Sequence, residues 1–175
     1  METPQIHCLL RDTYVEKAIP AHFFGVHAAD QIPLPLTKWP AGFVANTDPT
    51  GQPGQHWVAF YQPSRASTLE FFDSYGLPPA CYGFELDNSY QYNTHQLQGF
   101  DSEVCGHYCV LFLTFRPRLP SLSHTIKLLS SYGSTADSRD RAVNKLIRLH
   151  PPSETCNVHS QCCVSRSFIQ NNLQK

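Results

Sequence analysis

The residue types in this chain that could do chemistry are a thiol, an imidazole, a carboxylate and a primary amide. Cys105 precedes Gly106 at the start of an apolar run, and Gln98 stands seven residues upstream of the cysteine. His56 and Asp73 come earlier in the chain, in that order. Together they supply a nucleophile, a base, a group that orients the base, and a donor to a developing oxyanion, which is the equipment of a cysteine hydrolase.

Cys105 is the candidate nucleophile. The reactive form of cysteine is the thiolate, and a helix N-terminus or a neighbouring imidazolium lowers the pKa of the thiol enough to form it. Gly106 would let a substrate approach the backbone closely, and we assign it to substrate binding. Trp57 either forms a wall of the site or fills the core, and we assign it to the wall. A lone buried cysteine is more often structural, so the prediction depends on the other groups.

His56 is the candidate base, which would pair with the Cys105 thiolate and then protonate the leaving amine. One rival is His107, which lies two residues after the cysteine and so points away from it on a helix. The better rival is His95, which the pattern places on a strand. Asp73 would orient His56 and stabilise its cation, the alternative being a turn or capping aspartate.

Gln98 is the candidate oxyanion donor, acting through its side-chain amide beside the backbone N–H of Cys105. Gln96 is the alternative for this role. The interpretation without a function is a strand glutamine that faces solvent.

The elements around these residues predict an α+β fold with a small central mixed β-sheet flanked by helices. Strands are expected at 42–46, 56–62, 68–74 and 90–98, and helices at 3–11, 14–19, 105–115, 121–132 and 137–150. The hairpin formed by the second and third strands would bring His56 and Asp73 together at one end of the sheet.

Residues between these elements carry further expectations. Residues 22–27 should lead into a loop, and residues 28–40, with three prolines, should be irregular. Gly133 should end the helix at 121–132. The last helix should turn one apolar stripe toward the core, formed by Ala142, Val143, Leu146, Ile147 and Leu149.

The bulk properties fit one domain of residues 1–152 followed by a polar tail or peripheral segment at 153–175. A net charge of -1 does not favour nucleic-acid binding. No apolar run approaches the ~20 residues that span a bilayer, and no secretory signal is apparent. The odd number of cysteines, seven, and their irregular spacing favour free thiols in a reducing, intracellular compartment.

The C-terminal segment contains a second group of soft ligands. These are Cys156, His159, Cys162 and Cys163, with His150 just upstream. Their spacing is not that of a zinc finger, and two adjacent cysteines suit one metal ion poorly. The sequence therefore favours free thiols or a disulfide here over a metal site.

Three motifs together resemble the adenovirus protease (adenain) family and its relatives from Polinton/Maverick-type elements and other DNA viruses. They are G-x-H-W-x-A-F at 54–60, F-[DE]-x-[FY]-G at 72–76 and Q-G-x-x-S-x-x-C-G at 98–106. The resemblance covers about residues 20–150. It implies an adenain-like fold with Cys105 as nucleophile, His56 as base and Gln98 as oxyanion donor. Asp73 takes the third triad position, which is glutamate in the adenovirus enzymes.

The resemblance also implies a function and a setting. Members cleave viral precursor proteins at Gly-Gly or Gly-x-Gly sites during capsid maturation, in the virion and the host nucleus. Adenovirus enzymes are activated by DNA and by a peptide joined through a cysteine upstream of the nucleophile. Here that neighbourhood is Asp87-Asn88, the nearest upstream cysteine is Cys81, and the net charge is -1, so neither route of activation is expected. We expect a monomer that acts on capsid or core precursors, with no membrane association, no metal and no evident cofactor requirement.

Two other functions use the same residues. A ubiquitin- or SUMO-specific protease of the same clan has the same triad, but usually places its glutamine one residue closer to the cysteine. The spacing here, with Gly99 and Ser102, favours the first interpretation. A catalytically silent interaction module would be marked by the loss of Cys105 or His56, and both are present.

Overall fold

The computed structural model describes residues 2–16, 19–86 and 89–149, which form an α+β fold around a five-stranded sheet. The helices are α1 (Thr3–Glu16), α2 (Cys105–Phe115), α3 (Leu122–Ser130) and α4 (Ala136–Arg148). The strands are β1 (His22–His27), β2 (Ala41–Asn46), β3 (Trp57–Gln62), β4 (Leu69–Phe72) and β5 (Tyr90–Tyr92). The predicted domain boundary at 152 and the segment 153–175 lie outside the described residues.

The sheet is mixed, as predicted, and its strand order follows the chain from β1 to β5. The central pairs β2–β3 and β3–β4 are antiparallel, whereas the outer pairs β1–β2 and β4–β5 are parallel. Ala59 of β3 is opposite Phe72 of β4. The start of β3 and the end of β4 therefore lie at the same edge of the sheet, where the candidate base and carboxylate are attached.

Alternate residues of the central strand enter two apolar layers. Trp57, Ala59 and Tyr61 contribute to the layer that the helices cover. Val58 and Phe60 contribute to the opposite layer, which is completed by residues of the loops at 29–39 and 79–86. A strand buried on both faces in this way accounts for the nearly continuous apolar sequence of β3.

Helix α2 is held firmly against the sheet, and Cys105 is its first residue. Phe112 of the helix stacks on Phe72 of β4 with 4.4 Å between ring centroids. At the other end of the helix, the buried Arg116 guanidinium donates two hydrogen bonds of 2.6 Å to the Glu70 carboxylate. Removal of either charged partner would leave the other buried without compensation, at a cost of about 3–5 kcal/mol. These contacts fix the position of the thiol relative to the strands.

The N-terminal part of the fold differs from the sequence predictions. Helix α1 is continuous over Thr3–Glu16 instead of ending at residue 11. Residues 22–27, which the sequence placed only on the way to a loop, form strand β1, because β2 offers its backbone groups as a parallel partner. An irregular register between Phe23 and Val26, with Gly25 at φ 98°, hides the alternation that would have identified this strand.

Strand β5 is shorter than predicted and ends at Tyr92. Residues 93–98 leave the sheet because their backbone binds the turn after β4 instead. The N–H groups of Leu97 and Gln98 both donate to the carbonyl oxygen of Ser74. Neither His95 nor Gln98 is therefore on a strand.

The C-terminal helices need two corrections. Helix α3 is followed by Ser131 at its C-cap, so Gly133 does not end it. Gly133 instead permits close packing, because a Cβ there would lie 2.6 Å from the backbone nitrogen of Arg139. On α4, Val143 and Ile147 are buried as predicted, but Leu149 is 64% exposed because it follows the last residue of the helix. No helix within the described ranges is long and apolar enough to cross a membrane.

Candidate active site

His56 and Asp73 meet at the edge of the sheet that the β3–β4 hairpin forms. His56 directly precedes β3, and its carbonyl oxygen accepts a 3.0 Å hydrogen bond from Thr47. Asp73 directly follows β4. Nε2 of His56 lies 2.6 Å from Oδ1 of Asp73, and both side chains are buried. The contact that the hairpin predicted is present.

The Asp73 carboxylate accepts four hydrogen bonds. Oδ1 accepts from His56 and, at 3.2 Å, from the backbone N–H of Tyr75. Oδ2 accepts from the N–H of Leu77 at 2.9 Å and from the Tyr82 hydroxyl at 3.0 Å. Four donors compensate the burial of this carboxylate and fix its orientation, so Asp73 is held in place to pair with His56.

The turn after β4 is fastened to the segment that leads to Gln98. Asn93 accepts from the Asp73 N–H at 2.9 Å and donates to the Asp73 carbonyl oxygen at 2.6 Å. Gly76 lies in the same turn with φ 74°, and a Cβ there would lie 2.9 Å from the carbonyl carbon of His95. The glycine in the motif F-[DE]-x-[FY]-G is therefore required for this close approach.

Cys105 completes the series at the start of α2. Its side chain is hydrogen-bonded to His56 and to the backbone N–H groups of Trp57 and Gly106. Nε2 of His56 is occupied by Asp73, so Nδ1 is the ring nitrogen left for the sulfur. The structure thus brings three of the predicted residues, Cys105, His56 and Asp73, into one hydrogen-bonded series.

The pKa values of the pair shift in opposite directions. Burial raises the pKa of the Cys105 thiol, but the hydrogen bond to His56, the imidazolium charge and the two backbone donors lower it by more. Burial lowers the pKa of His56, but its contacts with Asp73 and Cys105 outweigh burial and raise the pKa to about 9. A lowered thiol pKa beside a raised imidazole pKa favours a thiolate–imidazolium pair. Such a pair can attack a carbonyl carbon and then deliver a proton.

The rival residues lie elsewhere. His95 is exposed, and burial is the main cause that lowers the pKa of His107 to about 4. Within the described residues, neither histidine interacts with Cys105. Gln96 donates its amide to the carbonyl oxygen of Gln98 at 2.8 Å. Among the alternatives considered, the structure therefore favours His56.

Gln98 is fully buried, and its amide is occupied. Nε2 donates to the Ser102 carbonyl oxygen at 2.5 Å and to the Tyr75 hydroxyl at 3.3 Å. Oε1 accepts from the Ser74 hydroxyl at 2.7 Å. The structure connects Gln98 to the other site residues through Tyr75, and its role as oxyanion donor stays a prediction.

Two tyrosines contact the base, and the sequence analysis assigned a role to neither. The rings of Tyr75 and Tyr82 stack on the imidazole of His56 with centroid distances of 4.7 and 5.5 Å. Phe100, which is 75% exposed, stacks on Tyr75 at 5.5 Å. The sequence did contain an indication for Tyr75, since it occupies an aromatic position of the second motif. Tyr82 had none, because it lies in a short 3₁₀ turn whose location depends on the tertiary fold.

The loop after Gln98 is held by α4 through Asp140, another residue that the sequence analysis missed. Oδ2 of Asp140 accepts from the N–H of Gly99 at 2.9 Å and from the Ser102 hydroxyl at 2.7 Å. Oδ1 accepts from the Tyr108 hydroxyl at 2.9 Å. Both loop residues belong to the third motif, so their presence indicated a structured loop but not its partner.

The predicted substrate-binding residues are only partly explained. Gly106 is buried, and its backbone donates to the sulfur of Cys105. The Trp57 side chain is 9% exposed and belongs to the apolar layer under the helices. Its assignment to the wall of the site stays a prediction.

The cysteines and the metal question have separate answers. Cys81, Cys105 and Cys109 are free, whereas Cys8 is disulfide-bonded, so the expectation of free thiols is wrong at Cys8.

Within residues 2–16, 19–86 and 89–149, no group of three or more His, Cys, Asp and Glu side chains could hold a metal ion. The ligand-rich group at 150–163 lies outside those ranges.

Comparison with known proteins adds no assignment. No protein-family model matches this sequence, and no curated protein matches it. The arrangement of Cys105, His56 and Asp73 and the three motifs are therefore the features that bear on function.

Proposed function

We propose that this chain is a cysteine endopeptidase with an adenain-like fold. One observation carries the proposal: Cys105, His56 and Asp73 form a hydrogen-bonded series in which the thiol pKa is lowered and the imidazole pKa is raised. Perturbed and opposed pKa values in one cluster are typical of catalytic groups. The mixed five-stranded sheet and the three motifs support the same assignment.

The first half of the reaction forms a thioester. The Cys105 thiolate attacks the carbonyl carbon of the scissile bond, a C–S bond forms, and the π electron pair moves to the oxygen. When the tetrahedral intermediate collapses, the C–N bond breaks and the His56 imidazolium gives its proton to the leaving amine. Asp73 holds the ring in place throughout and balances its charge.

The second half regenerates the enzyme. Neutral His56 accepts a proton from water as the water oxygen attacks the thioester carbon. The C–S bond then breaks, which releases the carboxylic acid and restores the thiolate beside an imidazolium. Gln98, as the third motif implies, belongs to the part of the site that stabilises the oxyanion in both halves.

The substrate class that we propose is a precursor protein of a DNA virus or related element, cleaved at small or glycine-rich sites during capsid maturation. The motif resemblance supports this class, and it also supports the virion and host nucleus as the place of action. The contacts among Cys105, His56 and Asp73 are all made within one chain. A triad that is complete within one chain agrees with the monomeric enzyme that we propose.

The test is cleavage of a panel of fluorogenic Gly-Gly and Gly-x-Gly peptides, alongside ubiquitin and SUMO fusions. Wild type is compared with Cys105→Ala and with Cys81→Ala, a matched control that removes an exposed free thiol. We expect peptide cleavage by wild type and Cys81→Ala, no cleavage by Cys105→Ala, and no processing of the fusions. Selective processing of a ubiquitin-like fusion would replace the maturation function with the second function in the same clan.

If no substrate in the panel is cleaved, thiol labelling shows whether Cys105 is activated. Fast labelling of Cys105 by iodoacetamide at pH 6, with slow labelling of Cys81, would show an activated thiol that lacks its substrate or activator. Equal and slow labelling of both thiols would contradict the proposed function.

A further inference from the structure

The part of the site around Gln98, here called the oxyanion side, includes Ser74, Tyr75 and Ser102. Its hydrogen-bond donors are arranged in an unusual way. The two amide hydrogens of Gln98 already have acceptors, the Ser102 carbonyl oxygen and the Tyr75 hydroxyl. Its Oε1 is held by Ser74. A fully buried amide with three partners has no free N–H to offer to a substrate oxygen.

The Tyr75 hydroxyl can accept a hydrogen bond from this amide and donate its own hydrogen to a substrate oxygen. It accepts from Gln98, and within the described residues its own hydrogen has no acceptor. The Tyr75 ring stacks on His56 at 4.7 Å, which places it against the catalytic series. Burial, followed by the negative charges of Cys105 and Asp73, raises the pKa of Tyr75, so its hydroxyl stays protonated while the thiolate is present.

We propose that Tyr75 is a catalytic residue whose hydroxyl donates a hydrogen bond to the oxyanion. Gln98 is then a positioning residue that polarises and orients this hydroxyl and does not itself touch the substrate. The inference rests on the proposed function and deepens it, because it replaces the side-chain donor that the third motif implies.

The hydrogen bond acts in one step of the reaction. As the Cys105 sulfur bonds to the carbonyl carbon, the π electron pair moves to oxygen, and the Tyr75 O–H donates to that oxygen. The proton stays on Tyr75, and the bond is released when the pair returns to re-form the carbonyl. Loss of one such donor typically lowers the rate about 10²- to 10³-fold.

A different role for Tyr75 predicts the opposite effect on the rate when its hydroxyl is removed. If Tyr75 is a cover that keeps the Gln98 amide from the substrate, removal of its hydroxyl would free one N–H and raise the rate. Tyr75→Phe keeps the ring and its contacts with His56 and Phe100 and removes only the hydroxyl. The direction of its effect therefore separates the two arrangements.

The decisive experiment compares two reactions of Cys105. Acylation by p-nitrophenyl acetate passes through an oxyanion and releases p-nitrophenolate, whereas alkylation by iodoacetamide displaces iodide and forms no oxyanion. For Tyr75→Phe we expect acylation to fall about 10²-fold, the effect of one lost donor. Alkylation, measured on its high-pH plateau, should stay the same as in wild type.

Two tyrosine variants serve as matched controls. Tyr82→Phe removes the other hydroxyl beside His56, which donates to Asp73. It should lower acylation and alkylation together at neutral pH, because it weakens the imidazolium that maintains the thiolate. Tyr132→Phe removes a hydroxyl from a partly buried ring whose pKa is raised by burial alone, with no contribution from Cys105, His56 or Asp73, and it should change neither rate.

The outcomes distinguish the inference from the function on which it rests. A wild type whose Cys105 is neither acylated nor alkylated faster than Cys81 contradicts the proposed function. A wild type that is acylated rapidly, with Tyr75→Phe equally fast or faster, overturns the role of Tyr75 and leaves the function standing. A parallel fall of both reactions in Tyr75→Phe also overturns it, because the hydroxyl would then act on the thiolate.

Discussion

The two sides of the candidate site are built differently. On the nucleophile side, Cys105, His56 and Asp73 form one hydrogen-bonded series. Asp73 raises the pKa of His56, and His56 lowers the pKa of Cys105. On the oxyanion side, Gln98 is neutral, and Ser102 and Ser74 satisfy its polar atoms. The nucleophile side has its hydrogen-bonded series in place without a substrate. The oxyanion side can stabilise an oxyanion only if another group supplies a hydrogen-bond donor.

The comparison shows that a charged pair and a neutral donor need different support. The imidazolium needs a carboxylate that is itself held by several donors, and the turn after β4 supplies it. The neutral amide needs only a rigid loop, which Asp140 of α4 secures. Tyr75 contacts both sides, through its ring on His56 and its hydroxyl on Gln98.

The largest expected effect comes from breaking the nucleophile side at its centre. In His56→Ala, the imidazolium no longer opposes the effect of burial on Cys105, so the thiol pKa should rise from its value in wild type. We expect acylation at neutral pH to fall by about 10³-fold or more. The pH dependence of iodoacetamide labelling gives the thiol pKa directly. A thiol pKa that stays low in His56→Ala would show that the helix N-terminus, and not His56, activates the sulfur.

Asp73→Asn should have the second largest effect. The substitution removes the negative charge and places an NH₂ group where the carboxylate accepted hydrogen bonds, so the pKa of His56 should fall. We expect acylation to decrease about 10²- to 10⁴-fold, with a parallel loss of thiolate at neutral pH. The pKa of His56 is measured by NMR titration of its ring protons. Asp101→Asn, which changes an exposed aspartate, is the control; an unchanged His56 pKa in Asp73→Asn would contradict this role.

Residues near in sequence were easier to predict than residues joined by tertiary contacts. The β3–β4 hairpin fixes His56 beside Asp73, and the apolar run fixes Cys105 at a helix start, so local pattern sufficed for these. Asp140 lies far along the chain and is brought to Ser102 only by helix packing. Nothing in a helical aspartate indicates such a contact. Strand β1 was missed for a related reason, since its pairing with β2 decides its conformation.

The pH dependence should separate the two reactions of Cys105. Hydrolysis needs the imidazolium as acid, so it should fall tenfold per pH unit above the His56 pKa of about 9. Alkylation needs only the thiolate and should not fall there. Both reactions should decline at acidic pH as the thiolate is protonated, below the ordinary pKa of a thiol. The apparent values belong to the coupled pair. Parallel alkaline limbs for both reactions would be inconsistent with this assignment.

Asp140→Asn should affect the oxyanion side alone. It weakens the hydrogen bonds that hold Gly99 and Ser102 while leaving the nucleophile side intact. A donor displaced slightly loses part of its effect, so we expect acylation to fall roughly tenfold with alkylation unchanged. Asp137→Asn, on the same helix but exposed, should change neither. A parallel fall of both reactions in Asp140→Asn would mean that the residue only supports the fold.

Phe100→Ala should have the smallest effect, and it tests the link between the two sides. Phe100 is the outer member of the stack that continues through Tyr75 to His56. Its removal leaves Tyr75 supported on one side, so the hydroxyl should be less well placed while the thiolate is unaffected. An aromatic pair contributes about 0.5–1.5 kcal/mol, which corresponds to a two- to tenfold decrease in acylation. Leu149→Ala, at another exposed apolar residue, is the control. A decrease in alkylation instead would show that the stack acts through the imidazole of His56, and the two sides would then not be separable at Tyr75.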